Sequence, residues 1–256
     1  MKASVTRASF AALIALACIA VFPSAHAGNT HSRWSDARQL VLVTTPDWDA
    51  ANGTLSSYKW TRSGWKATGL SFPVSIGRSG SAWGTGLHSA QPGPLKKEGD
   101  GRSPAGVFHL GTAFGYGGNA ATEMPYLAMR DSHYCVDVIA SPLYNQIVDT
   151  RTVGASAVVG STEPMRRDIH ADGDQRYQLG LVIEHNPSNV PGAGSCIFAH
   201  VWKATGEPTS GCTAMDEVSM RKLLAWLQPR RHPVFMLLPV SEFQRLRHEW
   251  RLPASP

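Results

Sequence analysis

A mainly β fold of the sandwich or barrel kind is predicted from three features of the sequence. Short runs rich in β-branched and aromatic residues recur along the 256 residues, and such runs are typical of strands. Clusters of Gly, Pro and Asn separate them, in a chain that contains 24 Gly and 17 Pro. Strands do not alternate with long helices, which argues against a parallel α/β sheet.

The predicted strands follow one another with turn residues between them. The first is QLVLVTT, Gln39–Thr45, which ends before Pro46. The segment TLSSYKWTRSGWKAT then alternates polar and apolar residues around Ser63-Gly64, as a hairpin does. The remaining predicted strands are residues 72–77, 106–111, 134–139, 179–186, 196–202 and 233–239.

A helix is predicted over MDEVSMRKLLAWLQP, with Asp216 as a candidate N-cap and Pro229 as its stop. Its apolar face is expected to hold Val218, Leu223, Leu224 and Leu227. A second helix is predicted at residues 241–251 and is expected to pack on the domain. Its N-cap would be Ser241, and its apolar residues would be Phe243, Leu246 and Trp250.

A long stretch rich in Gly, Pro and Lys lies between Trp83 and Ser103. Loops of this length are commonly functional lids or partly disordered segments. A lid over a functional site is therefore one hypothesis for this stretch.

The N-terminal segment indicates export. Lys2 and Arg7 precede an apolar run, ASFAALIALACIAVF, and Ala25 and Ala27 form a small-residue cleavage site. This order is that of a secretory signal peptide, so we expect cleavage after Ala27 and a periplasmic mature protein. The run is shorter than the roughly 20 residues that a membrane span needs.

The mature chain, residues 28–256, is expected to be a single domain with a core at about 39–240. Its charge does not indicate nucleic acid as a partner. The full chain has 24 Lys+Arg against 19 Asp+Glu, a formal net charge of +5, without a block of basic residues. A monomer with no membrane span after signal cleavage is expected.

The cysteine count bears on the redox state. Apart from Cys18 in the signal peptide, the chain contains Cys135, Cys196 and Cys212. Thiols tend to pair in an oxidising compartment, and an odd number leaves one over. We hypothesise a Cys135–Cys196 disulfide with Cys212 free, although the spacing also allows the other pairings.

His200 and Cys212 allow three interpretations. A structural zinc site needs close Cys or His pairs, and neither C-x-x-C nor H-x-x-x-H is present. Ordinary packing is common for a cysteine, but Cys212 lies in a loop before a predicted helix, whose N-terminus would favour a thiolate. In the third interpretation the two residues are a base and a nucleophile. Strand alternation places Ile197, Ala199 and Val201 on one face and His200 on the other, where it could take the thiol proton.

This region resembles the signature of the YkuD-type L,D-transpeptidases. Their pattern is a histidine in a strand, followed by Ser/Thr-x-Gly-Cys at the start of a helix. The matching residues after His200 are, in order, Thr209, Ser210, Gly211 and Cys212. Upstream, GDGRSPAGVFHLG resembles the family's G-x-T-P-x-G-x-F strand entry, with Ser103 in place of Thr. The resemblance covers roughly residues 39–239.

The resemblance implies a fold and an activity. The fold would be the L,D-transpeptidase catalytic domain, which is sandwich- or barrel-like with a helix after the cysteine and a C-terminal helix. Cys212 would attack a carbonyl of a peptidoglycan stem peptide, with His200 as base and the Ser210 carbonyl orienting it. The N–H groups of Gly211 and Cys212 would hold the oxyanion. An amine of a second stem would then take the acyl group from the thioester, without a metal or organic cofactor.

Several functions stay open within this resemblance. The donor bond could be at stem position three, giving 3–3 links, or at the L-alanine of position one, giving 1–3 links to diaminopimelate. The second case occurs in a proteobacterial branch that EHNP…PGAGSCIFAHVW…PTSGCTAM resembles. Water as acceptor would make an L,D-carboxypeptidase or amide hydrolase. A non-catalytic wall-binding module is a further alternative.

Substrate recognition is expected to differ from that of many family members. Ser210 and Ala214 stand where those members have His and Arg, and Trp202 replaces a glycine. The residues expected to contact the stem peptide are Arg78, His185, Asn186, Trp202, Thr209 and Thr213.

Overall fold

The structure is a computed structural model that describes residue 1 and residues 34–256. The predicted signal peptide and its cleavage site lie outside the described residues. Within residues 34–256, no helix combines the length and the apolar character that a membrane crossing requires.

Strands dominate the described part of the chain. Strands β1 to β13 are Gln39–Thr45, Asn52–Thr61, Gly64–Ser75, Ser81–Trp83, Ser103–Gly115, Tyr126–Ala128, His133–Cys135, Ile147–Asp149, Glu163–Pro164, Leu179–Ile183, Phe198–Val201, Thr213–Met215 and Pro233–Pro239. Helices α1 to α4 are Thr150–Val153, Arg167–His170, Glu217–Trp226 and Val240–Leu246. Three short 3-10 turns are Ala155–Val158, Arg176–Gln178 and Pro229–Arg231.

The large sheet closes into a ring. Its hydrogen-bonded order is β10-β11-β12-β3-β2-β1-β13-β5, and β5 pairs in turn with β10. The β1–β13 and β11–β12 pairs are parallel, and the other neighbours in the ring are antiparallel. Strands β4 and β6 flank β5, and β7 to β9 form a separate three-stranded sheet. The mainly β prediction is therefore confirmed.

The predicted strands differ from the observed ones mainly in length. Strands β1 and β13 have the predicted bounds and pair in parallel, with Gln39 opposite Pro233. The hairpin loop is Arg62-Ser63 rather than Ser63-Gly64, since Thr61 pairs with Gly64. The predicted strand at 72–77 is the end of β3, because β2 pairs with β3 over nearly its whole length.

Helix α3 begins where the sequence indicates. The Asp216 side chain accepts a hydrogen bond from the Ser219 N–H at 2.9 Å, as an N-cap does. The predicted apolar face is wrong at Val218, which is 60% exposed, and Met220 is buried instead. The helix does not begin at Cys212, because strand β12 lies between them.

The C-terminal helix is shorter than predicted. It spans Val240–Leu246 rather than 241–251, and Ser241 is not its N-cap, because it starts directly after Pro239. Trp250 is nevertheless buried, with its ring 5.3 Å from the ring of Trp34 in an edge-on contact. The tail therefore packs on the domain as expected, through a turn rather than a continued helix.

Strand β11 separates two buried clusters. Ile197, Ala199 and Val201 belong to the main core. Phe198 belongs to a second cluster, defined as Phe114, Met129, Cys135, Met165, Tyr177, Cys196, Phe198 and Cys212. The predicted alternation along this strand is thus present, but the face opposite the main core is also buried.

Cys135 and Cys196, the pair hypothesised from the sequence, are joined by a disulfide, and Cys212 is a free thiol. The bond closes a loop over a sequence separation of 61. Replacing both residues with Ser is expected to lower the free energy of unfolding by about 3 kcal/mol, because it enlarges the unfolded ensemble. Urea unfolding of the double variant and the wild type measures this. Equal midpoints would contradict the prediction, and Cys212→Ser, which keeps the disulfide, is the matched control.

Candidate active site

His200 is a buried and neutral imidazole. It lies on β11 with 3% of its surface exposed. Its Nδ1 lies 2.7 Å from the Val201 carbonyl oxygen, so Nδ1 carries the proton and Nε2 keeps its lone pair. Burial lowers the pKa of His200 to about 4. The carbonyl that holds the ring in this structure is therefore that of Val201, and no hydrogen bond joins His200 to the Ser210 carbonyl expected from the sequence.

The turn that carries Cys212 is held against the end of β3. Thr209 donates its backbone N–H to the Ile76 carbonyl and accepts from the Arg78 N–H, both at 2.8 Å. The Thr209 hydroxyl accepts from the Gly211 N–H at 3.0 Å and donates to the Cys212 carbonyl at 2.7 Å. Thr209 therefore shapes the turn, and its side chain is buried rather than open to a substrate.

Ser103, at the start of β5, holds the other side of this turn. Its hydroxyl accepts from the Gly77 N–H at 2.9 Å and lies 2.7 Å from the Gly211 carbonyl oxygen and 3.0 Å from that of Cys212. Gly211 has φ +154°, and a Cβ there would lie 3.1 Å from the Arg102 carbonyl oxygen. A side chain at Gly211 would thus push the turn that carries Cys212 away from the Arg102 backbone.

For a nucleophilic Cys212, Ser103→Ala is expected to lower the rate of Cys212 acylation by about 100-fold, since a shift of about 1 Å at a reacting atom has effects of that size. It should also cost about 1–3 kcal/mol of stability, because the buried Gly77 N–H loses its acceptor. Ser103→Thr keeps the hydroxyl and is the matched variant. Steady-state rates and urea unfolding check both parts. Equal losses in the Ala and Thr variants would contradict the assigned role of the hydroxyl.

His200 lies on β11, and Cys212 is the residue directly before the neighbouring strand β12. In the parallel β11–β12 pair, Ala199 is opposite Thr213 and His200 is opposite Ala214, so Cys212 is the diagonal neighbour of His200. The thiol accepts from the Phe198 N–H at 3.3 Å and donates to the Cys196 carbonyl at 3.5 Å. In this state the thiol proton is directed to the Cys196 carbonyl.

The thiol is also neutral at rest. Burial, followed by the nearby charge of Glu163, raises the pKa of Cys212 to about 12. The sequence led us to expect a thiolate stabilised by a helix N-terminus, and this is wrong because β12 separates Cys212 from α3. A neutral thiol beside a neutral imidazole is therefore the resting state.

A cavity of about 290 Å³ opens next to Cys212. One wall consists of Ser210, Gly211 and Arg78, and the Arg78 guanidinium donates to the Ser210 hydroxyl at 3.1 Å. The acidic residues Glu98, Asp137 and Glu163 also line the cavity. Arg78 is exposed, and no carboxylate of residues 34–256 pairs with it within 4.0 Å. It is therefore able to bind a ligand carboxylate.

The long loop after Trp83 forms part of this cavity. Lys96, Glu98, Gly99 and Gly101 line it. Lys96 is buried and pairs with Asp100 at 2.6 Å, and Glu98 accepts from the Ser195 hydroxyl at 2.7 Å. These contacts make the loop a packed wall of the cavity.

Five of the six predicted substrate residues do not line this cavity, and the buried Thr209 is one of them. Trp202 lines a separate cavity together with Thr45 and Pro46. His185 is buried, with Nδ1 accepting from the Thr85 N–H at 3.3 Å and Nε2 donating to the Ala193 carbonyl at 2.9 Å. Asn186 holds the next turn through Val190 and Gly194. Thr213 is buried within β12.

Two residues near the site carried no signal in the sequence. Tyr177 lies in a 3-10 turn, and its ring is 5.3 Å from that of His200. Glu163 accepts a hydrogen bond from the Tyr177 hydroxyl at 2.7 Å. Both come from segments outside the family-like motifs, so only the fold brings them to His200 and Cys212.

Metal-ligand clustering is not seen in the described part of the chain, where no group of three or more His, Cys, Asp or Glu could hold an ion.

The chain matches no protein-family model. No curated protein matches it either. Among solved structures, it is similar to the crystal structure of the helical cell shape determining protein Pgp2 from Campylobacter jejuni. That similarity has 14% identity and a TM-score of 0.36 over 80% of this chain, which spans about half (48%) of the length of that one.

Proposed function

We propose that this protein is an exported peptidoglycan L,D-transpeptidase, and that its ring of strands is the L,D-transpeptidase catalytic-domain fold. The observation that carries the proposal is the free Cys212 at the wall of a cavity, diagonal to a neutral His200 whose Nε2 has a lone pair. A thiol and an available base are the groups that acyl transfer through a thioester needs. The resemblance of the His200 and Cys212 segments to the YkuD-type signature supplies the substrate class.

The first half of the reaction is acylation of Cys212. The sulfur attacks a stem-peptide carbonyl while its proton passes to His200 Nε2, and a C–S bond forms. The amide C–N bond then breaks, and His200 returns the proton to the leaving amine. Because both groups start neutral, proton transfer accompanies the attack and does not precede it.

The second half is transfer to an amine of another stem. The amine attacks the thioester carbonyl and gives a proton to His200, the C–S bond breaks, and the sulfur recovers that proton. The Gly211 N–H already donates to Thr209. No hydrogen bond from the Cys212 N–H is seen among the turn and loop contacts of the described residues, so this group is the better candidate for stabilising the oxyanion.

Arg78 is proposed to bind a carboxylate of the stem peptide. Ala214, at the position where many family members have Arg, is buried in β12. Arg78 follows the end of β3 and lines the cavity next to Cys212. Its backbone N–H donates a hydrogen bond to the Thr209 carbonyl. A guanidinium suits a carboxylate because it can donate two parallel hydrogen bonds.

Mass spectrometry of purified muropeptides incubated with the protein tests the proposal, with Cys212→Ala as the control. Dimers that require Cys212 are expected, and fragmentation would show whether position one or three is the donor. Shortened monomers without dimers would assign an L,D-carboxypeptidase or amide hydrolase instead. No Cys212-dependent product would overturn the enzyme proposal and favour a wall-binding module.

A further inference from the structure

Tyr177 is the aromatic side chain that packs against the ring of His200. The two ring centroids are 5.3 Å apart at an interplanar angle of 73°. Val201 holds His200 through Nδ1. The covalent bond at Cγ and the hydrogen bond at Nδ1 leave the ring a limited rotation about its side-chain bonds, and a contact on the ring restricts that rotation and the direction of Nε2.

Tyr177 is itself held from several sides. Its hydroxyl donates to Glu163 Oε2 at 2.7 Å. Its ring lies edge-on to Phe114 and Phe198, at 5.8 and 5.6 Å between centroids. The Arg167 guanidinium lies 5.5 Å from the ring centroid. The ring against His200 is therefore rigid.

Ion pairs hold the charged residues that contact Tyr177. Arg167 pairs with Asp174 at 2.9 Å and faces Glu163 at 3.7 Å, and Arg176 also pairs with Asp174. Glu163 lines the same cavity as Cys212. One set of contacts thus runs from the wall of the cavity, through the tyrosine, to the base.

We propose that Tyr177 is a positioning residue that directs His200 Nε2 toward Cys212, with Glu163 fixing the tyrosine hydroxyl. This inference rests on the proposed function for its kinetic consequence. The orientation of His200 is a property of the protein alone and is measurable without turnover.

Tyr177→Leu removes the ring, and Tyr177→Phe keeps the ring but removes the bond to Glu163. Tyr116 offers a matched control, since it packs against the same second cluster, donates to the Asp174 carbonyl at 3.0 Å and has Arg166 over its ring at 4.8 Å. No ring contact joins Tyr116 to His200. Tyr116→Leu therefore reports loss of packing in the cluster without loss of support for the base.

In the full-length protein, Tyr177→Leu is expected to lower kcat by about 10- to 100-fold with KM nearly unchanged, which is the effect of misplacing a reacting group. Tyr177→Phe should lose less, and Tyr116→Leu should keep kcat within about threefold. Long-range proton–nitrogen NMR of the imidazoles gives the second readout. The wild type should show His200 in the Nδ1–H form alone, and Tyr177→Leu should show exchange between the two neutral forms.

Unchanged kcat in a folded Tyr177→Leu variant would overturn the proposal. So would an equal loss in Tyr116→Leu, or an unchanged His200 tautomer in Tyr177→Leu. Should Tyr177→Leu fail to fold, Tyr177→Phe carries the test, and wild-type kcat with a wild-type tautomer spectrum would then reject the role of Glu163. A wild type without Cys212-dependent turnover would remove the proposed function, while the NMR comparison would still decide whether Tyr177 orients His200.

Discussion

Replacing His200 with Gln is expected to lower Cys212-dependent product formation by about 100- to 10,000-fold, the range that general-base catalysis supplies. The thiol has a pKa raised to about 12 by burial, so very little thiolate is present at neutral pH without a base. A glutamine amide can keep a hydrogen bond to the Val201 carbonyl but cannot accept the thiol proton in this reaction. The loss should therefore fall on the acylation step.

Single-turnover acylation followed by intact-protein mass spectrometry measures this step directly. His232→Gln is the matched control, because His232 is exposed, with its side chain 59% accessible, and lies in the turn before β13. A His200→Gln variant that keeps more than about a tenth of the wild-type rate would contradict the assignment of His200 as the base.

Acidification from pH 7 to pH 5 is expected to destabilise the protein by about 4 kcal/mol, roughly 2 kcal/mol for each of two buried imidazoles. Burial lowers the pKa values of His185 and His200 to about 4. In the unfolded chain these groups have a pKa near 6.5. Between these values the unfolded state binds more protons, so stability falls as the pH falls and levels off near pH 4.

Three other groups modify this pH dependence. Burial lowers the pKa of His133, which adds a loss in the same direction. Burial also lowers the pKa of His88 to about 4, and this half-buried group adds a smaller loss in the same window. Burial raises the pKa of Glu163, whose proton uptake on acidification offsets part of the effect. The net direction is still loss of stability toward acid, because four imidazoles with lowered pKa values oppose one carboxyl with a raised pKa.

Urea unfolding at several pH values measures the slope. His185→Gln removes one of the two buried imidazoles, so the loss between pH 7 and pH 5 should shrink by about 2 kcal/mol, whatever the variant's stability at pH 7. His232→Gln should leave the slope unchanged. An unchanged slope in His185→Gln would show that other groups cause the acid sensitivity.

Sequence reasoning performed best where local chemistry decides the structure. The continuous apolar runs at Gln39–Thr45 and Pro233–Pro239 have the predicted bounds, and Asp216 caps α3. The predicted bounds are least accurate for strands whose length depends on pairing with a neighbouring strand. Strand β3 is longer than predicted because it pairs with β2. The periodic apolar pattern predicts that the last helix continues to Trp250. The helix ends earlier, and a turn of the chain buries the Trp250 side chain instead.

Only part of the candidate site can be predicted from the sequence, for the same reason. His200 and Cys212 were visible because their motif is local. Ser103 appeared in a family-like segment, but its contact with the Gly211 carbonyl depends on the closing of the ring. Tyr177 and Glu163 reach the pair only through tertiary packing. The sequence predicts substrate contacts for His185 and Asn186, which instead bond to the backbone of a turn, because polar residues after a strand look alike in either role.

The placement of the disulfide has a consequence for how the protein matures. Cys135, Cys196 and Cys212 all belong to one buried cluster, so Cys196 has two candidate partners while the chain is oxidised. Joined to Cys135, it leaves Cys212 as a thiol. Joined to Cys212, it would use up the proposed nucleophile in a folded but inert isomer. Under the proposed function, the choice of partner during oxidative folding therefore decides which molecules become active.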